Sequence, residues 1–425
     1  MRKMKTIVSA TPIRVQADSR SFKIAASIAR FGYVSVLVEG EESDLDRACL
    51  PFELRSIGGL FRTKAVALAD KANPSPNHDW TPTVRKARQI LGDLYRLPFL
   101  FPFLFLCWYL RRWVVLPLKH IPRASLYYLH EYTLFPAIYL LCKRYNVPLV
   151  YDAHDFYPGI KSPTEIRAMN FGQRWLTMFC RYVESRLINN ASAVVTVCDG
   201  VARLQHETFG CHPIVVRNCH DFRLDQEPPR HLRQVLGLSS DQFLLVVVGN
   251  AKKGMAVQEV LDAMLQLPPH VHLAFLGSFY DEYSNSIRSR ALQDRVHILP
   301  PVKPYEVVPF IRSADASVIL YYPRSVNYKN CLPNSFFQAV AAELPLLYPR
   351  LPEIERIAEK YVVGIPIDPR VPRSISRAVI QLMSDGDLVA TYKRNLRVAS
   401  HDLSWEKEEL ILRSLISKAL TQNKG

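Results

Sequence analysis

The sequence predicts an α/β protein built as two Rossmann-like, doubly wound domains with a cleft between them. Three observations carry that expectation. Short apolar runs alternate with amphipathic stretches of helical spacing in both halves of the chain. Phe243 to Val248 is entirely apolar, as a parallel strand covered on both faces must be. Asp221 to Arg233, with Pro228-Pro229 and many charges but no apolar periodicity, reads as a linker between the halves. At 425 residues the chain exceeds one ordinary core. The expected division is an N-terminal domain over residues 1–225, a second domain over 235–385, and C-terminal helices over 386–425 that cross back toward the first.

The elements follow in order. Lys5 to Ala10 is the first strand; its apolar part is about four residues, too short for a signal-peptide core. A loop leads to a helix from about Arg20 to Phe31, with Ile24, Ala25, Ile28 and Ala29 on its apolar face and Gly32 at its end. Val34 to Val38 is the second strand. The alternation resumes with Ser125 to Leu129, Pro136 to Tyr145, Leu149 to Asp152, Phe171 to Leu187 and Val194 to Cys198. Past the linker come strands at Phe243 to Val248, Val271 to Leu276, Val296 to Leu299 and Ser317 to Leu320, separated by helices at Val257 to Leu267, Tyr283 to Ala291 and Tyr305 to Ser313. Ligands of such folds sit at the carboxyl ends of the strands.

Composition narrows the partners. With 48% apolar and 22% charged residues the chain folds, and its net charge of +15 calls for an anionic partner. Nucleic acid is set aside, because there is no zinc-ligand spacing, recognition-helix pattern or RNP-like strand. The eight cysteines form no CxxC pair, sit mostly among apolar neighbours and read as buried free thiols in a reducing cytosol.

Asn330 to Pro345 is the densest segment: Asn-Cys-Leu-Pro-Asn-Ser-Phe-Phe-Gln-Ala-Val-Ala-Ala-Glu-Leu-Pro. Pro333 and Asn334 read as a helix start, with Pro suiting the first turn and Asn capping free N–H groups. Phe336, Phe337, Val340, Ala341 and Leu344 form one apolar face, and Pro345 is expected to stop the helix before a short strand, Leu346-Leu347-Tyr348. The positive end of such a helix suits a diphosphate.

This segment resembles the donor-binding helix of family 4 (group 1) glycosyltransferases, whose pattern runs Leu-Pro-Asn-Lys, apolar, Phe, Glu, then Ala-Ala-Gly-Leu-Pro. Other motifs fall where that family has them: Asp18-Ser19-Arg20-Ser21-Phe22-Lys23, Tyr151-Asp152-Ala153-His154-Asp155, Val194-Val195-Thr196-Val197, Arg217-Asn218, Lys253-Gly254, Leu276-Gly277 and Arg295-Val296-His297. The resemblance covers nearly all of the chain outside about residues 40 to 120. It implies the GT-B fold and transfer of a sugar from a nucleotide-sugar donor, usually with retention at the anomeric carbon. No metal or other cofactor is implied.

The resemblance also assigns residues. Lys253 becomes the cation at the β-phosphate, and His154 the histidine beside the transferred sugar, both catalytic. Gly249, Asn250, Lys252, Lys253, His297, Asn330, Leu332, Pro333, Asn334 and Gln338 form the donor set. The acceptor set comes from the residues themselves: Arg20 and Lys23 open a helix behind a loop and suit a phosphate or acceptor anion, and Glu131 and Asp155 are the carboxylates this domain has available. Glu353 follows the last strand as the family's Pro-Glu does. Gln338 stands where the family has a ribose-binding Glu, and Asn330 where many members have a second. A neutral hydrogen bond thus replaces a charge-assisted one of roughly twice the strength. Ser335 replaces the usual Lys and Glu343 the usual Gly.

The unmatched region has its own signal. Leu97 to Leu110 is uncharged and aromatic, and Lys86, Arg88, Arg96, Arg111, Arg112, Lys119 and Arg123 flank it. Pro98 and Pro102 interrupt it, and a spanning helix needs about 20 apolar residues. The pattern fits an insert at about residues 90–120 whose residues 95–120 lie on an anionic membrane surface, the other reading being a buried helix pair. The expected protein is a cytoplasmic glycosyltransferase, peripherally bound to the inner face of the membrane, acting on a lipid-linked or surface-polysaccharide acceptor. A non-catalytic relative that binds glycans or a partner, and a nucleotide-sugar epimerase of the same fold, stay open at this level.

Overall fold

The computed structural model describes residues 4–15, 18–43, 45–57 and 100–422. Lys86, Arg88, Arg96 and the 90–99 part of the expected insert lie outside the described residues. The chain divides into two compact units, one of Met1–Thr196, Gln205–Ile214 and Arg413–Gly425, the other of Val197–Leu204 and Val215–Leu412.

The first unit is built on strands β1 (Thr6–Thr11), β2 (Val34–Glu39), β3 (Glu53–Ser56), β4 (Leu126–His130), β5 (Leu149–Ala153), β6 (Ala193–Thr196) and β7 (Ile214–Val215). They lie in the order β3-β2-β1-β4-β5-β6-β7, and the pairings from β3 through β6 are parallel. Val8, Val38, Tyr127, Leu129 and Tyr151 from the sheet pack with Ile138 and Leu141 of the Phe135–Tyr145 helix and with Val183 and Leu187 of the Phe171–Ile188 helix. The winding reverses between β1 and β4, so the loops at their carboxyl ends splay apart and leave a crevice.

The second unit repeats this winding. Its strands are β8 (Phe243–Val248), β9 (Val271–Leu276), β10 (Val296–Leu299), β11 (Ala316–Val318), β12 (Leu346–Pro349) and β13 (Gly364–Ile367), ordered β10-β9-β8-β11-β12-β13, all parallel. Here the switch point lies between β8 and β11. The edge strands β3 and β13 escape the sequence pattern because one alternates with charge and the other is a short Gly-Ile-Pro-Ile run.

Three local expectations change. The helix expected over Tyr283 to Ala291 is a 3-10 turn, Tyr280–Tyr283, followed by the short Ser284–Ser289 helix. The expected linker belongs to the second unit, where Arg223 donates to both Asp221 and Glu409. The Asn334–Ala341 helix ends before Pro345 is reached. Leu344 N–H donates to Ala339 O at 3.0 Å and Glu343 N–H to Val340 O at 3.1 Å, with Glu343 at φ 56°. That is a Schellman ending with Glu in the left-handed position that glycine prefers.

No helix among the described residues is long and apolar enough to cross a membrane. The uncharged run forms the Leu100–Leu110 helix, continuing through a π-turn at Arg111–Val115 into Leu116–His120. One of its faces is packed, with the Phe105 and Tyr109 rings against Trp175 and Phe179 of the Phe171–Ile188 helix. The other is not: Phe103 is 63% exposed, and Leu106, Trp108 and Leu110 are exposed with it. All eight cysteines are unpaired; Cys142, Cys198 and Cys219 are buried as expected, whereas Cys49 and Cys107 are exposed.

Candidate functional site

In the first unit, the parallel register sets His130 of β4 beside Asp152 of β5. Side chains alternate along a strand, so Tyr128 and His130 share one face, and Asp152 and His154 continue it on the neighbour. Asp152 is a hub. Arg20, in the first turn of the Ser19–Arg30 helix, donates Nε to Oδ2 and Nη2 to Oδ1, each at 2.9 Å, and Tyr128 OH donates to Oδ2 at 3.0 Å. Burial opposes ionisation, yet the Arg20 guanidinium, with His154 and His130 nearby, brings Asp152 down to about 2. His130 Nδ1 lies 3.1 Å from His154 Nε2 and 3.6 Å from Asp152 Oδ2. Complete burial pushes His130 down to about 4, so its ring is neutral at pH 7. His154 retains 18% exposure and is the member of the pair that reaches the surface.

Asp18 completes this end of the sheet. It caps the Ser19–Arg30 helix by accepting from Ser21 N–H at 3.1 Å, and it also accepts from Thr11 Oγ1 at 3.3 Å. Burial opposes its charge, but His154 and His130 hold its carboxyl below the usual range. Glu131, directly after β4, adopts φ 65°, a left-handed conformation that strains a non-glycine residue. Burial pushes its carboxyl up to about 7.

His130, Asp152 and His154 each offer a donor atom within 4.8 Å of the others, a spacing that could hold a cation. The Arg20 guanidinium already lies on Asp152 and supplies the positive charge there. The three side chains and Arg20 form a hydrogen-bonded network around an ion pair.

In the second unit, β8 runs into the loop Gly249 to Gly254 at the switch point. Gly249 has φ 110°, and a Cβ on Gly277 would lie 2.4 Å from Gly249 O, so the loops after β8 and β9 touch backbone to backbone. Asn250 Oδ1 accepts from Ser278 N–H at 2.9 Å and pins that crossing. Gly254 has φ 97°, and a Cβ there would lie 2.5 Å from Arg324 Cδ and 2.6 Å from Tyr328 Cε1. Lys252 Nζ stands 5.1 Å from the centre of the Tyr321 ring, and Arg324 Cζ 5.6 Å from that of Tyr328. Lys252 and Lys253 are exposed, and among the described residues Lys253 pairs with no carboxylate. Cations and tyrosines thus converge at the carboxyl ends of β8 and β11, as an anionic ligand requires.

Residues 230–398 match the family described as "Glycosyl transferases group 1", and residues 59–219 match "Glycosyl transferase 4-like domain". The chain belongs to the group 1 glycosyltransferases. Solved structures agree on the fold. Sucrose-phosphate synthase from Thermosynechococcus elongatus is 13% identical, with a TM-score of 0.66 over 97% of this chain and 98% of that one. HepE from Anabaena, in complex with UDP and glucose, is 15% identical with a TM-score of 0.66 over 97% and 100%. WaaG, a glycosyltransferase involved in lipopolysaccharide biosynthesis, is 16% identical with a TM-score of 0.59 over 99% and 100%. The two doubly wound units are those of the GT-B fold. No curated protein matches the chain by sequence.

Several of the expected site residues of this glycosyltransferase make contacts within the fold, and one expected local role changes. Asn334 does not cap its own helix; Pro333 occupies the cap position, and Asn334 Oδ1 accepts from Asn218 Nδ2 at 2.7 Å. Asn330 is buried, with Nδ2 donating to Val326 O at 2.9 Å and Oδ1 accepting from Arg203 at 3.3 Å, so its amide braces the loop before the helix. Leu332 is buried beneath the same loop, while Gln338 is half-buried with no side-chain hydrogen bond among the described residues. His297 is the second residue of β10; its Nε2 meets His272 Nδ1 at 3.1 Å, and His272 meets Gln242 in turn. That pair lies toward the amino ends of the strands, away from the cationic loop.

On the acceptor side, Arg20 and Lys23 are buried, and Arg20 is engaged by Asp152. Asp155 and Glu131 are half-buried beside His154. Glu353 is buried and accepts from Arg356 at 2.9 Å. Sequence reasoning missed Asp152 and His130 as partners of His154, and Arg324 as a cation beside the glycine loop. The available signal was a charged residue inside an otherwise apolar buried strand, Leu-Val-Tyr-Asp-Ala, which must find a partner.

Proposed function

We propose that this glycosyltransferase moves a hexose-type sugar, with retention, from a nucleotide-sugar donor to a lipid-linked or surface-polysaccharide acceptor at the cytoplasmic face of a membrane. The observation that carries the donor half is the loop Gly249 to Gly254, where Lys252, Lys253 and Arg324 gather at a switch point. A relative of the same fold holds UDP and glucose, which supports a nucleoside diphosphate here. Lys253 neutralises the β-phosphate as it departs, and the start of the Asn334–Ala341 helix receives it. Gln338 bonds the ribose, His154 faces the sugar, and Glu131 and Asp155 meet acceptor hydroxyls. The C1–O bond to phosphate breaks, the C1–O bond to the acceptor forms, and the acceptor proton ends on the departing phosphate. No metal is required by this scheme.

The acceptor half is supported by the exposed face of the Leu100–Leu110 and Phe171–Ile188 helices. Phe103, Trp108, Phe171, Met178 and Tyr182 point outward there, and exposed Arg111, Arg174 and Arg181 accompany them. Apolar and aromatic groups beside cations suit the headgroup region of an anionic bilayer.

The test has two arms. Calorimetric titration of UDP and GDP into the purified chain measures donor-site binding, with Lys253→Ala as the weakened control. Flotation with anionic and neutral vesicles measures docking, with Trp108→Ser and Met178→Ser expected to release the protein. If no nucleoside diphosphate binds, the functional reading fails.

A further inference from the structure

We propose that His130 is a positioning residue that sets the tautomer of His154, so that His154 presents a protonated Nδ1 to the reaction centre as a hydrogen-bond donor. The proposal rests on the reading above only in placing His154 at the sugar.

When both imidazoles are neutral, one proton lies between His130 Nδ1 and His154 Nε2, which are 3.1 Å apart. Which ring owns it follows from the other side of His130. Its Nε2 is buried and, among the described residues, has no hydrogen-bond partner. A proton on that atom would be an orphaned buried N–H, whereas without it Nε2 is a bare lone pair, the cheaper of the two. Asp152 Oδ2, ionised, lies 3.6 Å from His130 Nδ1 and 3.9 Å from His154 Nε2, so its charge favours the proton on the nearer nitrogen, that of His130. Both arguments put the His130 proton on Nδ1, where it is donated to His154.

His154 Nε2 is therefore the acceptor, and the single proton of a neutral His154 sits on Nδ1. This reverses the preference of a free imidazole side chain, which favours Nε2–H in water. The cost is met by the surroundings: Arg20 holds Asp152, Asp152 faces His130, and His130 faces His154. A fixed N–H at the end of this chain can bond a sugar hydroxyl or departing phosphate oxygen without reorganising, the condition under which such donors help most.

Imidazole ¹⁵N–¹H correlation spectra of the full chain at pH 7.5 test this directly, with signals assigned by their loss in His130→Phe and His154→Gln. The expected result is a protonated Nδ1 and a bare Nε2 on both rings. In His130→Phe, His154 should return to the Nε2–H form and kcat should fall on the order of a hundredfold, with donor KM and UDP binding nearly unchanged. A wild-type His154 carrying its proton on Nε2, or on both nitrogens, overturns the proposal, and so does a folded His130→Phe variant with unchanged kcat. Full turnover in His154→Gln instead overturns the placing of His154 at the sugar and leaves the tautomer measurement standing.

Discussion

Arg20 and Asp152 are joined by two 2.9 Å hydrogen bonds inside the first unit, 132 positions apart in the chain, with the guanidinium 2% and the carboxylate 0% exposed. A buried pair of this kind adds little net stability, but removing one partner strands the other charge. Arg20→Ala should therefore cost about 3–5 kcal/mol. Arg20→Met combined with Asp152→Asn should recover part of that loss, because no charge is then left buried. Urea unfolding followed by circular dichroism measures both; equal losses in the single and double variants would contradict the argument.

Gly254→Ala places a methyl group where Arg324 Cδ and Tyr328 now lie, on a backbone at φ 97°. Arg324 must move, because the loop backbone is held by Tyr322 N–H donating to Gly254 O at 3.0 Å. UDP affinity should fall about tenfold, equivalent to about 1.4 kcal/mol. Calorimetric titration reads this, and a variant that binds as tightly as the parent would remove Arg324 from the donor site.

Glu343 holds a left-handed backbone at the end of the Asn334–Ala341 helix, where glycine has no Cβ penalty. Glu343→Gly should stabilise the protein by about 1 kcal/mol. The Arg397–Glu343 pair that it removes is exposed and is worth little. A lower thermal midpoint in the variant would show that this ion pair outweighs the backbone strain.

Glu184 accepts from Tyr151 OH at 3.0 Å deep in the first unit, and burial pushes its carboxyl up to about 7. The unfolded chain ionises this group near 4.5, so the folded state binds the extra proton in between. Stability linked to Glu184 is therefore whole below about pH 4.5, declines as pH rises, and levels off above about 7. Glu184→Gln removes that decline and should gain on the order of 3 kcal/mol at pH 8 relative to pH 4.5. Glu131 titrates in the same window, so the difference between parent and variant across pH is the quantity that isolates Glu184. Parallel pH curves would contradict the assignment.

Much of the architecture was legible in advance. Phe243–Val248, Val271–Leu276 and Val296–Leu299 are strands over the expected residues, and the first, paired on both sides inside the sheet, is the continuous apolar run that a parallel strand covered on both faces needs. Edge strands β3 and β13 carry no such run. In the site, the motifs around His154 and Lys253 led to the loops that carry them. The motifs did not show that Asn330 would turn its amide inward, that His297 would pair with His272, or that Arg20 would be buried.

By itself, the sequence determined the two-domain α/β class, the family and the loops where polar groups gather. These rest on periodicity and local backbone preference, which act over a few neighbouring residues. The tertiary structure alone decided which of those polar groups are already taken. Asp152 meets Arg20, His130 meets His154, and Arg324 meets Gly254 only because parallel winding brings distant strands and loops into register. A buried charge must be neutralised by whatever the fold sets beside it, and no local pattern names that partner.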